Sequence, residues 1–122
     1  MKNIEEIAKK DGRYGPQAIG FVYEGLGYTA KKLSEQLHEM DTPHHVTGQE
    51  LANGLKELAL EKWGRLAATV LNSWGIKTTH DFGEIVYLMI ENKWMSSQPT
   101  DSINDFNDIY DFKTVFEDSF DF

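Results

Sequence analysis

Thr47-Gly48-Gln49-Glu50-Leu51-Ala52-Asn53-Gly54-Leu55-Lys56-Glu57-Leu58-Ala59 decides the fold class. Thr47 and Glu50 form the T-x-x-E signature of a capping box. The threonine hydroxyl and the glutamate carboxylate each accept a backbone N–H that the first helical turn would leave without a partner. Leu51, Leu55, Leu58 and Ala59 then recur at the spacing of one helical face. A start signal followed at once by that period predicts a helix.

The period continues on both sides. Downstream, Gly64 interrupts it, and a second stripe runs through Leu66, Ala67, Val70, Leu71 and Trp74. That is one helix with a weak point or two helices bent at the glycine. Gly75-Ile76 reads as a helix stop with its apolar contact. Thr78 or Thr79, with Asp81, opens the next helix, whose face is Phe82, Ile85, Val86, Met89 and Ile90. Upstream, residues 38–46 have no period and read as a loop.

A helix before that loop starts at Pro16, with the stripe Ile19, Val22, Tyr23, Leu26, Ala30, Leu33 and Leu37. Gly20, Gly25 and Gly27 oppose it, each costing up to about 1 kcal/mol against alanine. Either a neighbouring helix passes close to them or this helix breaks near Tyr28-Thr29; the stripe is the stronger signal. Ile4, Ile7 and Ala8 mark a short first helix over residues 2–10, closed by Asp11-Gly12.

Past Asn92 the pattern changes. Lys93 to Gln98 and Ile109 to Phe112 fit two short strands around the turn Pro99-Thr100-Asp101-Ser102. Asp111 also fits the cap of a last helical turn, Phe112 to Phe116. The expected fold is mainly α: a compact bundle of about five helices with at most one small C-terminal β-hairpin. No repeat or linker divides residues 1–122, so a single helical domain is expected. Its core should hold Val22, Leu26, Leu51, Leu55, Leu58, Leu66, Val70, Phe82, Val86 and Ile90.

Composition narrows the function classes. The chain has 122 residues, a net charge of -8 and no cysteine. Disulfides, thiol catalysis and cysteine-held zinc are therefore excluded. The acidic balance disfavours phosphate-backbone binding, so nucleic acid is not an expected partner. No apolar run approaches the roughly 20 residues of a membrane span. The N-terminus is acidic within six residues and has no apolar signal region, so a cytoplasmic, soluble protein is expected. Residues 1–100 hold 11 Lys+Arg against 13 Asp+Glu, whereas residues 101–122 hold only Lys113 against seven acids. The acidity therefore lies mostly in an aromatic C-terminal segment.

Catalytic motifs are missing. No serine sits in G-x-S-x-G, and there is neither a P-loop nor a G-x-G-x-x-G. No catalytic residue and no cofactor are expected. His80 and Glu84 share a helical face at i, i+4, but spacing places only two ligands where a closed metal site needs about four, so no metal is expected. Two clusters remain as ligand-binding candidates. Arg13 and Tyr14 lie between two helices, where the arginine fork can hold a carboxylate or helix carbonyls. His45, Gln49 and Glu50 lie at the entry of a capped helix, whose macrodipole lowers the pKa of a nearby histidine. The chemistry favours a non-enzymatic protein-interaction or adaptor domain. The alternative is a small-molecule-binding or enzymatic domain around Arg13, Tyr14, His45 and Glu50. Phe120 and Phe122 alternate with Asp121 and are candidates for docking in an apolar groove of this same chain, of a second copy of it or of a protein partner.

Five stretches resemble a family of small uncharacterised bacterial proteins. They are Asp11-Gly12-Arg13-Tyr14, His45-Val46-Thr47-Gly48-Gln49-Glu50-Leu51, Val70-Leu71-Asn72-Ser73-Trp74-Gly75-Ile76, Asp81-Phe82-Gly83-Glu84-Ile85-Val86, and Asp105-Phe106 with Tyr110-Asp111-Phe112. The resemblance implies a small soluble bacterial protein. It supplies no activity and no catalytic residue.

Overall fold

Caps set the helix boundaries. In a computed structural model, which describes residues 3–37, 46–94 and 102–118, the Asn3 side chain accepts the Glu6 N–H at 2.8 Å and opens α1 (Ile4–Asp11). Gly12, at φ 81°, closes it. Helix α2 runs unbroken over Pro16–Leu37. Helix α3 (Gly48–Trp63) starts with the expected capping box: Thr47 Oγ1 accepts the Glu50 N–H at 3.1 Å, and Glu50 Oε1 accepts the Thr47 N–H at 2.9 Å.

Gly64 breaks the next stretch in two. Its φ of 54° and ψ of -130° lie outside the range of other residues' comfort, so the chain leaves α3 there. One 3-10 turn, Gly64–Leu66, leads into α4 (Ala67–Ser73). After α4, the Ile76 N–H reaches Leu71 O at 2.9 Å and the Gly75 N–H reaches Asn72 O at 3.0 Å, the paired bonds of a Schellman stop. Ile76 is fully buried, as that motif's apolar contact requires. Helix α5 (Thr79–Glu91) follows, with Asp81 Oδ2 accepting the Thr78 N–H at 3.1 Å.

The pair α2–α3 explains Gly25 and Gly54. A Cβ on Gly54 would collide with the Thr29 side chain, and one on Gly25 would collide with Leu55. The two helices therefore touch through reciprocal small residues. Gly20 and Gly27 have nothing near them, so their cost in propensity is not offset by contact. Thr29 is buried, and its hydroxyl donates to Gly25 O at 2.7 Å within α2.

One apolar cluster joins all five helices to the C-terminal segment. Phe21, Trp63 and Trp74 form an aromatic triangle with centroids 5.2–6.1 Å apart. Phe112 and Phe116 are buried and meet edge-on at 5.1 Å. Phe106, on a 3-10 turn over Ile103–Phe106, is buried against Gly48 and Gly83, where a Cβ would intrude on its ring.

Two expectations are corrected. Leu66 is 59% exposed rather than core, because the turn after Gly64 re-aims it and leaves Ala67 and Ala68 to face inward. Among the described residues there is no strand, so the hairpin is not supported; residues 95–101, most of its first strand and turn, lie outside the described residues. Lys93 instead takes φ 65° and completes a second Schellman stop, with Trp94 N–H on Met89 O at 2.9 Å. The proposed return strand gives its groups to helices: the Ile109 N–H donates to Thr79 Oγ1 at 3.2 Å and the Tyr110 hydroxyl to Ala52 O at 2.6 Å. Asp111 caps the following turn by accepting the Thr114 N–H at 3.1 Å, and the chain then makes a π-helical turn, Thr114–Asp118. Smaller departures follow the helix phase: Leu26, Val70 and Ile90 are half-buried, Ala30 is exposed, and Tyr23 is 43% exposed while meeting Trp94 edge-on at 5.3 Å.

Candidate functional site

The turn between α1 and α2 delivers Arg13 to α5. Asp11, the last residue of α1, is nearly buried and accepts from Arg13 three times: Oδ1 takes Nε at 3.0 Å and Nη2 at 2.8 Å, and Oδ2 takes the backbone N–H at 3.0 Å. The remaining arm, Nη1, donates to Glu84 Oε2 at 2.8 Å. Glu84 Oε1 in turn lies 2.9 Å from His80 Nε2, and His80 Nδ1 lies 2.6 Å from Asn107 Oδ1. A chain of polar contacts thus runs from α1 through α5 to the C-terminal segment.

The electrostatics follow from this order. Burial pushes the Asp11 carboxyl up, but the bonds and charge of Arg13 more than reverse it, so it titrates below its usual value. Glu84 is lowered chiefly by the hydrogen bond from Arg13, then by His80. His80 is raised by the Asn107 contact and by Glu84, against partial desolvation. Tyr14 is buried, and its hydroxyl donates to Asp81 Oδ1 at 2.6 Å; burial first, then that carboxylate, raise the phenol and keep it a neutral donor.

These groups act as ties. Arg13 holds two carboxylates, Asp81 serves the start of α5 and Tyr14, and the His80 ring nitrogens meet Glu84 and Asn107. His80 and Glu84 do share a face, but Arg13 already occupies the second carboxylate oxygen. Among the described residues, no group of three or more His, Asp or Glu side chains is arranged to hold a metal ion.

Gln49 and Glu50 belong to a different arrangement. Beyond the Gly25/Gly54 crossing, α2 and α3 enclose a groove of about 220 Å³. Thr29, Lys32 and Leu33 line it from α2, and Gln49, Glu50, Asn53, Gly54 and Glu57 from α3. Lys32 Nζ pairs with Glu57 Oε1 at 2.5 Å across it. Asn53 Nδ2 donates to Gln49 O at 2.9 Å.

Of the candidates read from sequence, Arg13 and Tyr14 meet on α5, whereas Gln49 and Glu50 line the α2–α3 groove. His45, Phe120 and Phe122 lie outside the described residues. Sequence reasoning missed Asn107 as a partner of His80, and it missed Thr29 and Lys32 as the opposite wall of the groove. The period that made α2 recognisable placed Thr29 off the apolar stripe; its pairing with Gly54 is a tertiary contact with no local signal. No protein-family model, curated protein or solved structure matches the chain.

Proposed function

We propose that this chain is a non-enzymatic protein-interaction domain whose α2–α3 groove receives a short basic and apolar segment of a partner protein. The groove carries the reading. At about 220 Å³ it falls below the ~300–1,000 Å³ of small-molecule and cofactor pockets, and it suits one or two anchoring side chains. Among the described residues its rim holds two carboxylates and one cation: Glu50, which accepts the Thr47 N–H, Glu57, and Lys32, which pairs with Glu57. The chain as a whole carries a net charge of -8, so long-range attraction also selects cations. The alternative, a ligand site around Arg13, Tyr14, His45 and Glu50, draws less support, because Arg13 and Tyr14 direct their donors to Asp11, Glu84 and Asp81. A cytoplasmic location and membership of the small bacterial family that the motifs resemble are parts of the same proposal. No helix among the described residues is long and apolar enough to cross a membrane.

The test is selection from a displayed library of random twelve-residue peptides, followed by binding to Asn53→Trp, which fills the groove from an exposed position. Enriched peptides should combine a large apolar residue with Lys or Arg and should lose at least tenfold in affinity on the variant. Peptides that bind Asn53→Trp as well as the parent protein would overturn the proposal.

A further inference from the structure

The turn at residues 107–110 is pinned to the helices at three points. Asn107 meets His80 on α5, the Ile109 N–H meets Thr79 on α5, and the Tyr110 hydroxyl meets Ala52 on α3. Two of the pins are neutral bonds that no ordinary pH change affects. The third depends on the protonation state of a histidine.

The Asn107 amide is oriented by a neighbouring asparagine. Its nitrogen donates to Asn104 Oδ1 at 3.1 Å, which leaves its oxygen facing the imidazole. Both His80 ring nitrogens therefore face acceptors, Glu84 Oε1 and Asn107 Oδ1. Only the imidazolium can donate in both directions at once. When the ring loses its second proton, one contact becomes a lone pair against a lone pair. The Glu84 contact is the one retained, since a bond to a carboxylate is the stronger of the two and Arg13 fixes that carboxylate in place.

We propose that His80 is a proton-operated latch: protonated, it binds the Asn107 turn to α5; neutral, it keeps Glu84 and releases Asn107. Among the described residues, the charged groups acting on the ring are Glu84 and, at longer range, Asp81, both from α5; Arg13, from the turn between α1 and α2, acts through Glu84; and the C-terminal segment presents the neutral Asn107 amide. The carboxylates and the amide oxygen favour the imidazolium, and the ring is 43% exposed, so solvent can exchange its proton freely. The latch operates as pH rises through a value above histidine's ordinary 6.5. The apolar anchors Phe106 and Phe112 stay buried in either state, so the response is a local loosening of the turn and not unfolding.

The experiment is an NMR titration of the His80 ring in the full chain, with amide hydrogen exchange of Ile109, corrected for its intrinsic pH dependence, followed over the same range. His80 should titrate above 6.5, and protection of Ile109 should fall several-fold with the same midpoint. Asn107→Ala should lower the His80 midpoint and make Ile109 protection independent of that titration. A His80 midpoint at or below 6.5, a midpoint unmoved by Asn107→Ala, or Ile109 protection that stays flat through the titration would each overturn the latch.

Discussion

Gly20 and Gly54 are both glycines inside helices, yet their environments predict opposite responses to the same substitution. Nothing lies near Gly20, so Gly20→Ala should stabilise the protein by about 0.4–1 kcal/mol by restricting the unfolded chain. At Gly54 the new methyl would meet the Thr29 side chain in the α2–α3 contact, and Gly54→Ala should destabilise by about 1–3 kcal/mol. A matching contrast holds for two leucines. Leu55→Ala should cost about 2–5 kcal/mol because Leu55 is fully buried, whereas Leu66→Ser should stay within about 0.5 kcal/mol of the parent. Urea denaturation of the four variants checks all four values. The sequence places Leu55 and Leu66 on equally regular stripes, and it shows Gly25 and Gly20 as equal flaws in one helix. What separates them is which side of the element faces a neighbour, and that is decided by the turn at Gly64 and by the α2–α3 crossing.

Helix ends were far more legible than helix faces, because caps are local. Thr47 with Glu50, Gly12, Gly75 and Asp111 each satisfies backbone groups within a few residues, so each can be read directly from short spacing. The C-terminal hairpin found no support among the described residues, for the complementary reason. Lys93 supplies a left-handed helix stop without being a glycine, and the polar groups of residues 109–110 find their partners 30 and 58 positions away. Between elements, the Asp11–Arg13–Glu84 ties make stability depend on pH. Both carboxylates titrate lower in the folded state than in the unfolded chain, so their contribution is fully present above the ordinary values of 3.8 and 4.5. It is lost as pH falls through the lowered folded values. Arg13→Met should therefore lower the thermal midpoint at neutral pH, and the gap to the parent should close on acidification. Because Arg13 and Glu84 are partly exposed, added salt should narrow the same gap. A gap that is constant from pH 7 to pH 3 would contradict this assignment.

At the scale of the whole molecule, the acidic C-terminal segment divides into a buried part and a charged surface. Phe106, Phe112 and Phe116 are buried while Asp108 and Asp111 stay exposed, so the same residues both complete the core and add to the negative field. This negative field is the setting in which a basic partner is proposed for the α2–α3 groove. The candidate site itself was only half legible: the capping box drew attention to Gln49 and Glu50, but Thr29, Lys32 and Leu33 join them only through the packing of α2 on α3. Binding is best located by backbone amide shifts on titration with a lysine-flanked leucine peptide obtained from the library selection. The largest changes are predicted at Thr29, Leu33, Asn53 and Gly54, and they should vanish in Asn53→Trp. Changes centred instead on Arg13, Tyr14 and Glu84 would contradict the groove and favour the ligand site at α5.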